Sequence, residues 1–148
     1  MQELPKLNFP PQNLRLSRTE KGLKVWSEVR RQWLVLTPEE WVRRHLVAYL
    51  TNCCGVEPLR IVEEYPVPLN GQPQRADVVV VDNEGHPRLL AECKAVEVDI
   101  DQAVLEQATR YNAVLAARYV LLTNGLKIFC FERTAQGYRQ LSTLPQGL

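Results

Sequence analysis

Residues 75–82, RADVVVVD, constrain this chain more than any other stretch. Val78 to Val81 are apolar whichever face of a strand they lie on, the pattern of a strand buried inside a sheet with helices packed against it. Asp77 sits near the start of this strand. A charge on an apolar central strand is expensive to bury unless something pairs with it.

The flanking segments supply the rest of a mixed α/β domain. Thr37-Pro38-Glu39-Glu40 is a capping box, with Thr37 as N-cap, Pro38 in the first turn and Glu40 at N3. Val42, Leu46, Tyr49 and Leu50 follow at helical spacing, and Gly55 is the expected stop. Residues 60–69, 75–82 and 88–94 read as strands, forming a meander. A second helix follows, capped by Asp99 with Gln102, its stripe made by Ile100, Val104, Ala108, Tyr111 and Leu115. Residues 119–123 and 126–132 read as strands joined at Asn124-Gly125. The predicted order is αβββαβ with one added strand. Residues 23–36 read as extended, 1–22 as an irregular or peripheral arm, and 133–148 as a short tail.

The chemistry lies in Asp77 and the tripeptide Glu92-Cys93-Lys94. Strand residues i and i+2 share a face, so Glu92 and Lys94 point together and Cys93 points away. With the turn centred near residue 84, Asp77 is seven residues back and Glu92 eight forward, almost opposite each other. Two carboxylates and the Cys93 backbone carbonyl make a hard oxygen site for Mg²⁺ or Mn²⁺. Such a metal polarises a phosphodiester and lowers the pKa of an attacking water. Lys94 would orient that water or stabilise the developing charge. Glu-x-Lys by itself is commonly an ordinary salt bridge; the aspartate on the hairpin partner and the order of elements make it specific.

Glu40, at N3 of the capping box, is placed to cap its helix. Gln107 and Tyr111, at i and i+4, share a helix face. Arg43, Arg44 and Arg75 are the candidates for phosphate contact, though Arg43 and Arg44 also suit a solvated helix face and Arg75 could pair with an acid. Trp26, Trp33 and Trp41 read as packing anchors, and His45 and His86 as structural or exposed.

The region resembles the PD-(D/E)xK restriction-endonuclease-like nuclease superfamily. Residues 33–132 are similar to the N-terminal nuclease domain of the type I restriction enzyme R protein. The resemblance is carried by WLVLTPEEWVRRHLVAYL (33–50), RADVVVVD (75–82), LLAECKA (89–95), QATRYNAVL (107–115) and YVLLTNGLKIFCFE (119–132). It implies a restriction-endonuclease-like core, a central mixed sheet flanked by helices. It also implies Asp77 and Glu92 as metal ligands, Lys94 as the catalytic lysine, and Gln107 and Tyr111 beside the metal site. An acid of the first helix often completes such a site, which puts Glu40 forward as a metal ligand and leaves that role and helix capping both open. Ala76 stands where the superfamily's name has proline.

Length and charge bound these expectations. The chain has 148 residues, enough for one domain with its own core. Its net charge is +1. The first fifty residues carry +4, the next fifty −5 and the remainder +2. The middle third holds Asp77 and Glu92, so the sum hides an acidic site in a basic frame. No phosphate loop is present, so no ATP motor is expected. No apolar run is long enough to span a membrane and no apolar signal core is visible, so the expected compartment is the cytoplasm, with four reduced cysteines. DNA is the expected partner. A second copy of the chain or subunits of a restriction complex are the protein partners left open. The rival reading is a catalytically silent nucleic-acid-binding or accessory domain of such a complex.

Overall fold

The computed structural model describes residues 4–148, so the first three residues of the expected arm lie outside the described region. The element order is β1 (Leu16–Thr19), β2 (Gly22–Ser27), β3 (Gln32–Val35), α1 (Pro38–Asn52), a 3₁₀ turn (Pro58–Arg60), β4 (Ile61–Leu69), β5 (Gln72–Val81), β6 (Pro87–Cys93), α2 (Gln102–Leu115), β7 (Tyr119–Thr123), β8 (Ile128–Thr134) and β9 (Gly137–Leu141).

Strands β4 to β9 form one sheet in chain order. Every pairing is antiparallel except β6 with β7, which is parallel and connected through α2. The two faces of the sheet carry separate cores. Val78, Val80, Leu89, Ala91 and Leu121 pack with Val42, Leu46 and Leu50 of α1. Val79, Val81, Leu90, Val120 and Leu122 pack with Ala108 and Tyr111 of α2. The valine run is therefore buried on both sides, as its composition predicts.

Helix α1 starts where the sequence places it. Thr37 Oγ1 accepts the Glu40 N–H at 3.0 Å. Helix α2 starts later than expected: Asp101 is its N-cap, accepting the Val104 N–H at 3.1 Å. Asp99 has no capping role. The helix ends at Ala116, in the left-handed region at φ 57°. Fully buried Asn112 closes that end. Its side chain accepts from Ala117 N at 2.8 Å and donates to Ala117 O at 2.9 Å.

Two terminal expectations need correction. Residues 133–148 are not simply a tail, because β8 runs to Thr134 and β9 adds a sixth strand. The arm over 1–22 contains β1 and the start of β2, which join β3 in a separate three-stranded antiparallel sheet. Before β1 the chain is an irregular strap. Leu7 and Phe9 are buried in the α1-side core, and Asn8 N donates to Gly125 O at 2.7 Å. A Cβ on Gly125 would stand 2.7 Å from Leu7 Cδ2, and φ is +89°, so this turn requires glycine.

Removing the Asn112 side chain would leave both polar backbone groups of Ala117 without those partners. We predict that Asn112→Ala lowers unfolding free energy by about 2–3 kcal/mol, read from urea denaturation. A change under about 0.5 kcal/mol would contradict this role.

Candidate active site

The hairpin register sets the site. Val78 pairs with Ala91 across β5 and β6, so the next step outward brings Asp77 against Glu92. The two interlock through the backbone. Cys93 N donates to Asp77 Oδ2 at 2.8 Å, and Asp77 N donates to Glu92 Oε2 at 3.3 Å. Lys94 follows directly, its own N–H donating to Thr123 O at 2.9 Å. Asp77, Glu92, Lys94, Arg75, Gln107 and Tyr111 all line one cleft of about 110 Å³. The structure thus brings together six of the residues singled out in the sequence.

A distortion of β4 accompanies the site. Strand pairing runs from Glu63–Val78 to Tyr65–Ala76, with Glu64 between them at φ 55°. Left-handed backbone at a residue other than glycine costs about 1–2 kcal/mol. Opposite this point β5 loses its alternation: Ala76 and Val79 face the α2 core, Val78 the α1 core. Asp77 sits at the break, where an irregular strand can re-aim a side chain.

The acids behave differently from one another. Burial first, then the neighbouring Asp77, push the Glu92 carboxyl up to about 9. Glu92 therefore holds a proton at neutral pH. A third acid reaches the cleft from α1, and it is Glu39 rather than Glu40. Burial and then Asp77 raise the Glu39 carboxyl above its ordinary value.

Glu40 points elsewhere. Its oxygens accept from Arg43 Nε and Nη2 at 3.0 and 2.6 Å and from Arg44 Nε at 2.8 Å. Burial works to raise this carboxyl, but Arg43 and then Arg44 outweigh it and hold it below the ordinary range. Its carboxylate neither completes the capping box nor lines the cleft. Arg43 also reaches Glu64 at 2.7 Å, and Arg44 rests against Glu63, whose side chain is wholly buried. Arg43 and Arg44 are only 8% and 3% exposed, so neither is a surface phosphate contact. Arg75 is exposed at the cleft. Sequence spacing held the clue to Glu40: it has arginines at both i+3 and i+4, which claim it for an ion-pair cluster.

On α2, Gln107 Nε2 donates to Tyr111 OH at 2.8 Å, and that hydroxyl donates to Gln74 Oε1 at 3.2 Å. Gln74, on β5, was not singled out from the sequence because its part depends on the sheet register. Among the described residues, no three His, Cys, Asp or Glu side chains stand ready-gathered as a metal cage. Cys93 is fully buried on the other face of β6, leaving only its backbone near the acids.

The fold and site define a mixed-sheet domain with an acidic cleft at the edge of its central hairpin. The family model for the type I restriction enzyme R protein N terminus matches residues 38–145, and the chain belongs to that family. Among solved structures it is similar to one described as "The fragment structure of a putative HsdR subunit of a type I restriction enzyme from Vibrio vulnificus YJ016", at 24% identity and a TM-score of 0.57. The match covers 75% of this chain and 24% of that one, so the chain spans about a quarter of that protein's length. No curated protein matches. No helix among the described residues is long and apolar enough to cross a membrane.

The raised Glu92 carboxyl has a sign that can be tested. The folded state keeps this proton after the unfolded chain has lost its own, so stability falls as pH rises from about 4.5 towards about 9. Glu92→Gln removes that loss. In chelated buffer at pH 8 we expect the variant to exceed wild type by more than about 1 kcal/mol in denaturant unfolding. Equal stabilities at pH 5 and pH 8 would contradict the assignment.

Proposed function

We propose that this cleft is a metal-dependent phosphodiesterase site that hydrolyses DNA, of the PD-(D/E)xK kind. The observation that carries the reading is the Asp77–Glu92 pair, two carboxyls interlocked through the β5 and β6 backbones in one cleft with Lys94. A hard divalent cation fits where carboxylates converge, because it replaces the proton and supplies more charge. Asp77, Glu92 and the Cys93 carbonyl would hold Mg²⁺ or Mn²⁺, with Glu39 as the acid from α1. When bound, the ion supplies a polarised phosphate and a water of lowered pKa.

The chain's own residues do the remainder. The Cys93 N–H pins one oxygen of Asp77 and leaves the other for coordination. Lys94 brings a cation to the same cleft, where it would orient the attacking water and offset charge developing on phosphate. The Gln107–Tyr111–Gln74 relay fixes the α2 wall of the cleft. Arg75, exposed beside the acids, is the phosphate contact that remains once Arg43 and Arg44 are committed to the ion-pair cluster. Subunits of a restriction complex are the proposed protein partners.

A second reading is a domain of the same family that binds nucleic acid without cutting it. It draws on the absence, among the described residues, of a ready-gathered metal cage.

Cleavage of supercoiled plasmid with Mg²⁺ or Mn²⁺ tests both. Lys94→Ala and Asp77→Ala should each cut at least about 100-fold more slowly while melting as folded proteins. Mn²⁺ at 100 times its Kd should stabilise wild type by about 2.7 kcal/mol and leave Asp77→Ala unmoved. Cleavage that survives both substitutions would overturn the proposal. Stabilisation by Mn²⁺ without cleavage would favour the second reading.

A further inference from the structure

The +4 balance of the first fifty residues needs a location, since Arg43 and Arg44 neutralise acids inside the fold. It lies largely in the three-stranded sheet β1–β3. No acid occurs in any of its strands. Its basic residues are Arg18 and Lys24 in the strands, with Arg15, Lys21, Arg30 and Arg31 at their ends and turns. The turns add only Glu20 and Glu28, and Glu28 is already paired with Arg31 at 3.1 Å.

The two faces of this sheet differ. Register places Leu16, Val25 and Leu34 side by side on one face, with Ser27. That face is closed at its centre: Val25 and Ser27 are 0% exposed, and Ser27 Oγ accepts from buried Arg44. The other face carries Ser17, Lys24 and Val35 in one row and Trp26 and Trp33 in the next. Trp33 is 38% exposed and Val35 66%. The Arg15 guanidinium lies 5.2 and 5.6 Å from the Trp26 and Trp33 rings, and Arg31 lies 5.7 Å from Trp26. These arginines hold the indoles in place while adding positive charge around them. This departs from the expectation that Trp33 is a packing anchor: its ring is a partly open platform.

The face is also tied to the acidic cleft. Only Leu36 and Thr37 separate β3 from α1, and Glu39 is four residues beyond Val35. Chain geometry therefore keeps Val35, and Lys24 paired to it, within about 14–20 Å of Glu39.

We propose that the Lys24–Trp33 face of the N-terminal sheet is the docking surface for an unpaired nucleic-acid strand leading towards the cleft. Exposed indole beside clustered cations, without acids among the strands, fits a partner of stacked bases and phosphates. Trp33 takes a base on its open face. Lys24 and Arg15 face the phosphates. The proposal deepens the nuclease reading by naming where its substrate is gripped, but the binding it predicts needs neither metal nor cleavage.

The test is binding of a labelled oligothymidylate of about 20 nucleotides, longer than the usual 4–16-nucleotide site, in EDTA at two salt concentrations. Fluorescence anisotropy should show salt-sensitive binding, with tryptophan emission quenched. Trp33→Ala should weaken binding by about tenfold or more, and Trp33→Phe should restore most of it. Lys24→Glu should weaken binding and flatten its salt dependence. Arg133→Ala, at an exposed cation of β8 away from this face, should bind as wild type does. Thermal melts of each variant separate lost binding from lost folding. The proposal is overturned if no oligonucleotide binds, if folded Trp33→Ala and Lys24→Glu bind as wild type, or if only duplex binds and does so independently of Trp33. Retained strand binding without metal-dependent cleavage would sink the nuclease reading alone. Cleavage that is indifferent to Trp33 and Lys24 would sink this one alone.

Discussion

The register of β5 on β6 fixes two carboxyl groups against each other at the end of a strand pair that is otherwise apolar. Because side chains alternate, slipping this pairing by one residue would turn Asp77 and Glu92 to opposite faces and empty the cleft. The valine run prevents that slip. Val78 and Val80 fill the α1 core while Val79 and Val81 fill the α2 core, so any shift exposes one set and misplaces the other. The hydrophobic pattern that builds the sheet is thus also what holds the acids together. Burial, and then the nearness of Asp77, raise the Glu92 carboxyl.

Around this pair the charges divide into two groups by what they can reach. Glu40, Glu63, Arg43 and Arg44 form a buried cluster between α1 and β4, with part-exposed Glu64 at its edge. Removing one partner from such a cluster is costly, since it strands a charge away from water. The cluster anchors the start of α1 to β4 at the point where Glu64 takes its left-handed conformation. Glu39, one residue away on the helix, is thereby left to face Asp77 and Lys94. A structural ion-pair cluster and a candidate catalytic one thus share a single turn of helix.

Most of the central sheet was legible from local pattern. The valine run, the capping threonine and the Asp77 to Glu92 spacing each act over short distances, and each is found in place. What escaped were choices that depend on packing between distant segments. Glu39 and Glu40 are adjacent acids in one turn, and only the positions of Arg43, Arg44 and β4 decide which one enters the cleft. Gln74 enters the Tyr111 relay only because α2 packs on β5. Strand β9 follows a turn with little apolar pattern, and its residues are mostly exposed, so pairing to β8 rather than burial defines it. Residues 23–36 read as extended and hold nearly all of β2 and all of β3, but β1 was obscured by prolines in the strap before it and by its mostly exposed residues.

In the proposed site a divalent cation displaces the proton carried by Glu92. Calorimetric titration of Mn²⁺ at neutral pH, repeated in buffers of different ionisation enthalpy, measures this directly. Saturable binding with about one proton released per ion is expected, with both binding and release lost in Asp77→Asn. Absence of Mn²⁺ binding, or binding with no proton released and no dependence on Asp77, would contradict it.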